Sequence, residues 1–279
     1  MSLIISKREL APRIFELVVQ APRIARKGLP GQFVMVMAEE DGERIPLTIA
    51  DFDRTKGTIT LVLMVVGTSS LKLSRLEAGQ SFYALIGPLG TPSEIEPYHT
   101  VVMVAGGVGT APVYPIARAF KEAGSRVISI QGARSKELLF WVDHLAAVSD
   151  THIVTTDDGS AGRKGLVIEP LRELISADSR REIGCVYAIG PAVMMRACAE
   201  TTRPFGVKTI ASLNTIMVDG TGMCGGCRVE VGGQTRFTCV DGPEFDAHQI
   251  DWDLVLSRQK VYREHECRSL QKMMQAQHA

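Results

Sequence analysis

The chain has no run of about 18 apolar residues, the length a membrane-crossing helix needs; its longest apolar stretches, residues 59–66 and 101–105, are strand-length. It also lacks net charge. Lys+Arg total 31 and Asp+Glu 31, so no broad field draws it to nucleic acid or to an anionic membrane. No secretory apolar segment opens it, because Lys7, Arg8, Glu9, Arg13 and Glu16 interrupt the first apolar positions. The expectation is a cytoplasmic protein. Internal repeats and low-complexity tracts are absent as well.

Cysteine is scarce and unevenly placed: Cys185, Cys198, Cys224, Cys227, Cys239 and Cys267. A disulfide framework suits a small secreted chain. Here 279 residues, 45% hydrophobic and 22% charged, describe a globular protein of about two domains. Three of the cysteines crowd into residues 224–239, which in a cytosolic protein points to a metal site.

The first hundred residues read as β-structure. Apolar runs at 14–19, 33–37, 58–66 and 82–86 alternate with turn signals at Leu29-Pro30-Gly31, Glu40-Asp41-Gly42, Lys56-Gly57 and Gly87-Pro88-Leu89-Gly90. That spacing predicts a barrel or sandwich, with only a short helical stretch near 70–76. From residue 100 the pattern becomes apolar strand, turn, helix, repeated. Strands are expected at 100–105, 126–130, 152–156 and 185–189, with a helix from Thr110 to about Ala123 ended by Gly124. All-apolar strands alternating with helices predict a parallel α/β sheet. Residues 213–245 form a third, Gly- and Cys-rich region. The tail, 251–274, has helical composition with a partial apolar stripe of Leu254, Val255, Val261, Tyr262 and Leu270.

Three loops fall where the α/β sheet presents its carboxyl ends, the edge at which such sheets collect ligands. Gly106-Gly107-Val108-Gly109-Thr110-Ala111-Pro112 follows the first strand, where missing side chains let backbone N–H groups approach a pyrophosphate. Its spacing departs from G-x-G-x-x-G, and a tight turn without a ligand is the alternative. Asp157 and Asp158 follow a second strand, and Gly190, Pro191 and Met194 a third. The two aspartates suit ribose hydroxyls and therefore NAD. Arg134 and Lys136 suit a 2′-phosphate and therefore NADP, so both cofactors stay open.

Cys224-Gly225-Gly226-Cys227 with Cys239 could be a zinc knuckle, a redox dithiol or chance. The plant-type iron–sulfur spacing is C-x4-C-x2-C followed by a distant fourth ligand, and its first position is held here by Asp219. A carboxylate is a legitimate, harder ligand. The candidate set for a [2Fe-2S] cluster is therefore Asp219, Cys224, Cys227 and Cys239. Zinc on the same residues is the alternative, and Cys267 an alternative fourth ligand. Cys185 on a buried strand and Cys198 on a helix read as packing residues.

The order of these motifs resembles a known family. Pro30-Gly31-Gln32-Phe33, Arg44-Ile45-Pro46-Leu47-Thr48, Gly67-Thr68-Ser69-Ser70, Gly87-Pro88-Leu89-Gly90, the glycine loop and the 219–239 cluster resemble the iron–sulfur members of the ferredoxin–NADP reductase-like flavoproteins. Within that family the likeness is to electron-transfer subunits of dihydroorotate dehydrogenase B and to small subunits of NADH-dependent ferredoxin:NADP oxidoreductases. The resemblance implies an FAD-binding β-barrel (1–98), an NAD(P)-binding α/β domain (99–212), a [2Fe-2S] lobe (213–246) and a C-terminal helical tail (247–279).

The resemblance also implies roles. Pro46, Leu47 and Thr48 would lie along the flavin, with the Thr48 hydroxyl near its N5 as the catalytic contact. Leu63, Met64 and Val65 would pass beside it, and Gly67, Ser69 and Ser70 would hold its pyrophosphate. Arg44 would reach the flavin phosphate, although relatives place arginine where Ile45 stands. NAD(H) would lie over the glycine loop. Asp219 in place of a cysteine is similar to the ferredoxin:NADP oxidoreductase small subunits, whereas the dihydroorotate dehydrogenase subunits carry four cysteines.

The expected function is an oxidoreductase subunit that passes electrons between NAD(H), FAD and a [2Fe-2S] cluster to a larger FAD/[4Fe-4S] flavoprotein, with ferredoxin as a further partner. His99, His144, His152 and His248 are scattered, and no convergent group suggests an organic substrate site. Two readings compete: a dihydroorotate dehydrogenase electron-transfer subunit and, from another class, a zinc-stabilised nucleotide-binding regulatory module.

Overall fold

The computed structural model describes residues 2–275, which build two sheets and a small hairpin. The N-terminal sheet comprises β1 (Ile4–Ala11), β2 (Ile14–Gln20), β3 (Phe33–Met37), β4 (Ile45–Asp53), β5 (Thr58–Met64) and β6 (Ala84–Leu89), in the order β1-β2-β5-β4-β3-β6. Every neighbouring pair is antiparallel. Helices α1 (Pro22–Lys27) and α2 (Thr68–Ser74) cover it. Alternation decides which side chains fill the core: Val34 and Val36 on β3 and Leu61 and Leu63 on β5 join Leu17 and Ile49 there.

The expected barrel does not close. No ladder joins β1 to β6, and only an isolated Leu3–Ser81 bridge stands near the seam. The strand β1 carries exposed Arg8 and Glu9 and half-buried Lys7, so it behaves as a charged edge that resists pairing. The same charges hid it from sequence patterning.

The second sheet holds β7 (Thr100–Gly106), β8 (Arg126–Ala133), β9 (Thr151–Thr156), β10 (Arg163–Lys164), β11 (Ile183–Ile189) and β12 (Lys208–Ser212). A hairpin of β13 (Arg228–Val231) and β14 (Gln234–Phe237) follows, and then β15 (Glu244–Asp246). The sheet order is β10-β9-β8-β7-β11-β12-β15. All its pairs are parallel except β12–β15. Helices α3 (Thr110–Glu122), α4 (Val142–Ala147), α5 (Ile168–Ala177) and α6 (Ala192–Thr202) connect the strands. Strands β8 and β9 build out to one side of β7, and β11 and β12 to the other. The topological switch point therefore lies between β7 and β11.

The tail is two helices, α7 (Trp252–Arg258) and α8 (Arg263–Gln275). Helix α7 is no free arm: Trp252 and Val255 are buried in the same core as Val186 and Val229. Helix α8 packs against α2, with the Thr68 and Ser269 hydroxyls 3.0 Å apart. No helix among the described residues is long and apolar enough to cross a membrane.

Candidate functional site: the glycine loop, the β3–β5 face and the cysteine lobe

The loop after β7 sits at the switch point, and its glycines divide by task. A Cβ on Gly109 would stand 2.1 Å from the carbonyl oxygen of Ile189, and one on Gly106 would stand 2.4 Å from the Met194 sulfur. Those two glycines let β7 and β11 end against each other. Gly107 differs, with φ +56° and open space where a Cβ would point. Helix α3 starts directly behind it, with neither a side-chain cap nor an acidic residue in its first turn. An uncapped, acid-free helix start behind an open glycine suits an anion such as a pyrophosphate.

The structure brings Gly190, Pro191 and Met194 to this loop. It sets Asp157 and Asp158 apart, on the end of β9 beyond β8. Asp158 accepts hydrogen bonds from the Ser160 hydroxyl (2.6 Å) and backbone N–H (2.9 Å), which hold its carboxyl below the usual range. Asp157 is exposed.

On the N-terminal sheet, Phe33 pairs with Thr48 and Met35 with Pro46 across the β3–β4 ladder. Directly opposed residues share a sheet face. Ile45 and Leu47 turn the other way, onto the sheet's own core. Pro46, Leu47 and Thr48 are all half-buried, and Arg44 is exposed just before the strand. On β5 and beyond, Leu63 and Val65 are buried, whereas Met64 (39% exposed) and Val66 (66%) turn outward. Only the outward pair presents side chains to a ligand. Gly67 has open space beside it. The Ser70 hydroxyl belongs to its own turn: it accepts from Val66 and Gly67 N–H groups and donates to the Gly67 carbonyl. Ser69 donates to the Glu43 carboxylate.

Among the described residues, no three His, Cys, Asp or Glu side chains are drawn together as a metal-holding group. The four expected ligands nonetheless occupy one small lobe. Cys227 and Cys239 are buried with sulfurs 3.2 Å apart, and Cys224 is exposed at the rim, accepting from the Gly226 N–H at 3.4 Å. Asp219 faces its own loop. One carboxylate oxygen accepts from Thr221 N (2.6 Å) and the other from Cys224 N (2.8 Å), and these bonds lower its pKa. Gly220, Gly222 and Gly225 have φ values of 77°, 88° and 67°, which only glycine adopts readily. The floor of the lobe is apolar: Cys227, Cys239 and Met217 pack against Phe33 and Met35 of β3. Cys267 lies exposed on α8. Cys185 and Cys198 are fully buried, and burial pushes both thiols up to about 12, as inert packing residues require.

Two features had no sequence signal strong enough to be read. Glu244, opening β15, accepts at 2.7 Å, beside Gly31, from the hydroxyl of Ser93 in the segment that follows β6, and burial pushes its carboxyl up to about 7. An apolar seam also joins the two sheets, with Ala11, Ile14, Ala50 and Val62 on one side and Ala111, Phe140 and Trp141 on the other. An Arg118–Asp51 ion pair at 2.8 Å lies beside it. A Phe-Trp pair in a connecting loop was the only hint of that seam.

An antiparallel sheet joined to a parallel sheet with a glycine loop at its switch point defines a ferredoxin reductase-like oxidoreductase. Residues 103–200 match the oxidoreductase NAD-binding domain, and residues 214–251 match the iron-sulfur cluster binding domain of dihydroorotate dehydrogenase B. A dihydroorotate dehydrogenase B (NAD(+)) electron transfer subunit homolog from Thermotoga maritima is 46% identical, covering 94% of this chain and 92% of the relative. The electron transfer subunit from Geobacillus kaustophilus is 34% identical over 88% and 95% of the two chains. The chain belongs to this family of electron-transfer subunits. Among solved structures, an NADH-dependent reduced ferredoxin-NADP oxidoreductase superposes with TM-score 0.92 at 44% identity, covering 98% of each chain. A ferredoxin NADP+ reductase from Neisseria gonorrhoeae shares the fold at 18% identity, with TM-score 0.60 over 74% of this chain and 90% of that one.

Proposed function

We propose that this chain is the electron-transfer subunit of a larger flavoprotein complex, and that it carries electrons from NAD(H) through FAD to a [2Fe-2S] cluster. The observation that carries this reading is the double role of β3. Phe33 and Met35 oppose Thr48 and Pro46 within the sheet and pack against Cys227 and Cys239 of the lobe. A group held on the Pro46–Thr48 strand and a group held by the lobe cysteines would then share Phe33 and Met35 as common neighbours.

The residues fit the groups the reading requires. Outward-facing Met64 and Val66, half-buried Pro46 and Thr48, and the open space at Gly67 leave an apolar face for a flavin ring. Thr48 supplies the hydroxyl nearest the reacting ring, Leu63 and Val65 keep the strand in the core, and Ser70 shapes the pyrophosphate turn. Ser69 and Arg44 complete the FAD contacts. Gly106 to Pro112, Gly190, Pro191 and Met194 hold NAD(H), and Asp157 and Asp158 reach its outer ribose. Buried thiols beside backbone N–H donors suit an iron–sulfur cluster, whose sulfurs accept such bonds. Cys224, Cys227 and Cys239 are the thiolate ligands and Asp219 the fourth. The chemistry these groups supply when bound is hydride acceptance from NADH and conversion of that electron pair into single-electron transfers. The protein's part is to position the carriers and keep water from between them.

The domain limits proposed are 1–98 for FAD, 99–212 for NAD(H), 213–246 for the cluster and 247–279 for the tail, with β15 at the end of the cluster segment completing the NAD(H) sheet beside β12. Asp219 favours the small subunit of an NADH-dependent ferredoxin:NADP oxidoreductase over a dihydroorotate dehydrogenase subunit. Its partner would be a larger flavoprotein with FAD and [4Fe-4S] clusters, with ferredoxin as a further partner. Purification from the native host tests this choice. A co-purifying large iron–sulfur flavoprotein is the expected result, and a dihydroorotate-oxidising partner would overturn it.

A further inference from the structure

The seam between the two sheets is built around one residue in an unusual conformation. Trp141 has φ 54° and ψ 27°, the left-handed region that a bulky residue enters only when its surroundings hold it there. Its ring is 8% exposed, stacked on His144 (centroids 5.3 Å apart, planes 18° apart) and edge-on to Tyr114 at 5.5 Å. Its indole N–H crosses the seam and donates to Glu16 of β2 at 2.9 Å. Glu16 is also paired with Arg8 at 3.1 Å.

The other side of Trp141 leads to the glycine loop. The carbonyl of Phe140 accepts from the Gln131 side-chain amide at 2.7 Å, and the same nitrogen donates to the Thr110 hydroxyl at 3.2 Å. Thr110 is the first residue of α3, directly after the glycine loop. Ala111 packs in the seam with Ala50 and Val62 of β4 and β5. An unbroken series of contacts thus runs from β2 through Glu16, Trp141, Phe140 and Gln131 to the turn that would hold the nucleotide.

We infer that Trp141, latched to Glu16, is a positioning residue that sets the distance and angle between the nucleotide loop and the flavin face. The inference rests on the FAD and NAD(H) reading above. Hydride transfer from NADH to FAD oxidises the nucleotide to NAD+ and reduces the flavin by two electrons, and its rate is acutely sensitive to that distance. The latch touches neither reacting atom. Its loss would therefore slow the hydride step while leaving both binding sites intact.

The test compares Trp141→Phe, which keeps an aromatic ring and removes the donor, with Glu16→Ala and Glu16→Gln. Amide hydrogen exchange on the purified chain without NADH is the first readout, and in Trp141→Phe and Glu16→Ala residues 107–113 should lose protection. Anaerobic stopped-flow reduction by NADH is the second. Both variants should fall about tenfold to a hundredfold in limiting rate, with a C4-deuterium isotope effect present, NADH affinity and FAD content unchanged, and dithionite reduction at the wild-type rate. Glu16→Gln, which keeps an acceptor oxygen, should restore most of the rate. Wild-type exchange and wild-type hydride rates in Trp141→Phe and Glu16→Ala would overturn the latch alone. A wild-type chain that binds FAD yet is not reduced by NADH would overturn the parent reading and the latch with it. If Trp141→Phe does not fold, the two Glu16 variants decide the outcome.

Discussion

The sulfurs of Cys227 and Cys239 stand 3.2 Å apart, buried against Phe33 and Met35, while Cys224 lies exposed at the rim of the same lobe. If these three thiols hold the cluster, each is needed and the remote cysteine is not. Cys227→Ser and Cys239→Ser should each lose the bound iron while retaining FAD. Cys267→Ser should keep a full complement of both. Iron and flavin per chain are the measurements, and undiminished iron in Cys239→Ser would count against the ligand set.

The glycine loop predicts a contrast between neighbours. Alanine at Gly109 meets the Ile189 carbonyl, a backbone atom that cannot step aside, and should cost about 2–3 kcal/mol of stability. Alanine at Gly107 meets nothing. Its positive φ costs only about 1 kcal/mol. The Gly107 variant should therefore fold and lose NADH affinity, and the Gly109 variant should melt markedly earlier. Thermal midpoints and NADH titrations separate the two.

Thr48 is the one hydroxyl on the strand assigned to the flavin ring. Thr48→Ala should keep FAD and slow its reduction by NADH about tenfold, the effect of one lost hydrogen bond. An unchanged rate would move the catalytic contact elsewhere.

Glu244 predicts a pH dependence with a definite sign. Its folded value, about 7, lies above the ordinary 4.5, so the folded chain holds this proton more tightly than the unfolded chain. The contribution of Glu244 to stability is full below about pH 4.5, declines by about 3 kcal/mol as pH rises toward about 7, and changes no further above that. Glu244→Gln removes the decline. Its denaturation midpoint should gain on the wild type between about pH 5 and pH 7, and parallel curves would show that Glu244 does not carry the effect.

The α/β half was legible in the sequence because its central parallel strands, β7, β8 and β11, are buried on both faces. The runs at Val101–Ala105 and Cys185–Ile189 are apolar throughout, and turn glycines mark their ends. Where a strand is half-exposed, short or paired far off in sequence, local pattern failed. Strand β1 is half solvent-facing, β12 is short with Lys208 and Thr209, and β15 is three residues whose partner lies far off in sequence. Whether the N-terminal sheet closes depends on contact between its two edge strands, which no local run of residues encodes.

The site divides in the same way. The C-x-x-C turn and the glycine loop announce themselves because they need special backbone, and special backbone needs glycine. The engagement of both Asp219 oxygens by loop amides could not be read in advance, nor could the pairing of Glu244 with Ser93 or the reach of Trp141 to Glu16. Each depends on partners set by tertiary packing. Spacing identified which residues share the lobe, but not which way the carboxylate turns.

Electrons from NADH should reach the cysteine lobe through this chain alone. The most direct measurement is anaerobic addition of NADH to the purified chain, followed by absorbance for the flavin and low-temperature EPR for the cluster. The expected result is flavin bleaching together with a reduced [2Fe-2S] signal, and bleaching without that signal in Cys239→Ser. A wild-type chain holding zinc and no iron, or a flavin that bleaches with no cluster signal, would contradict it.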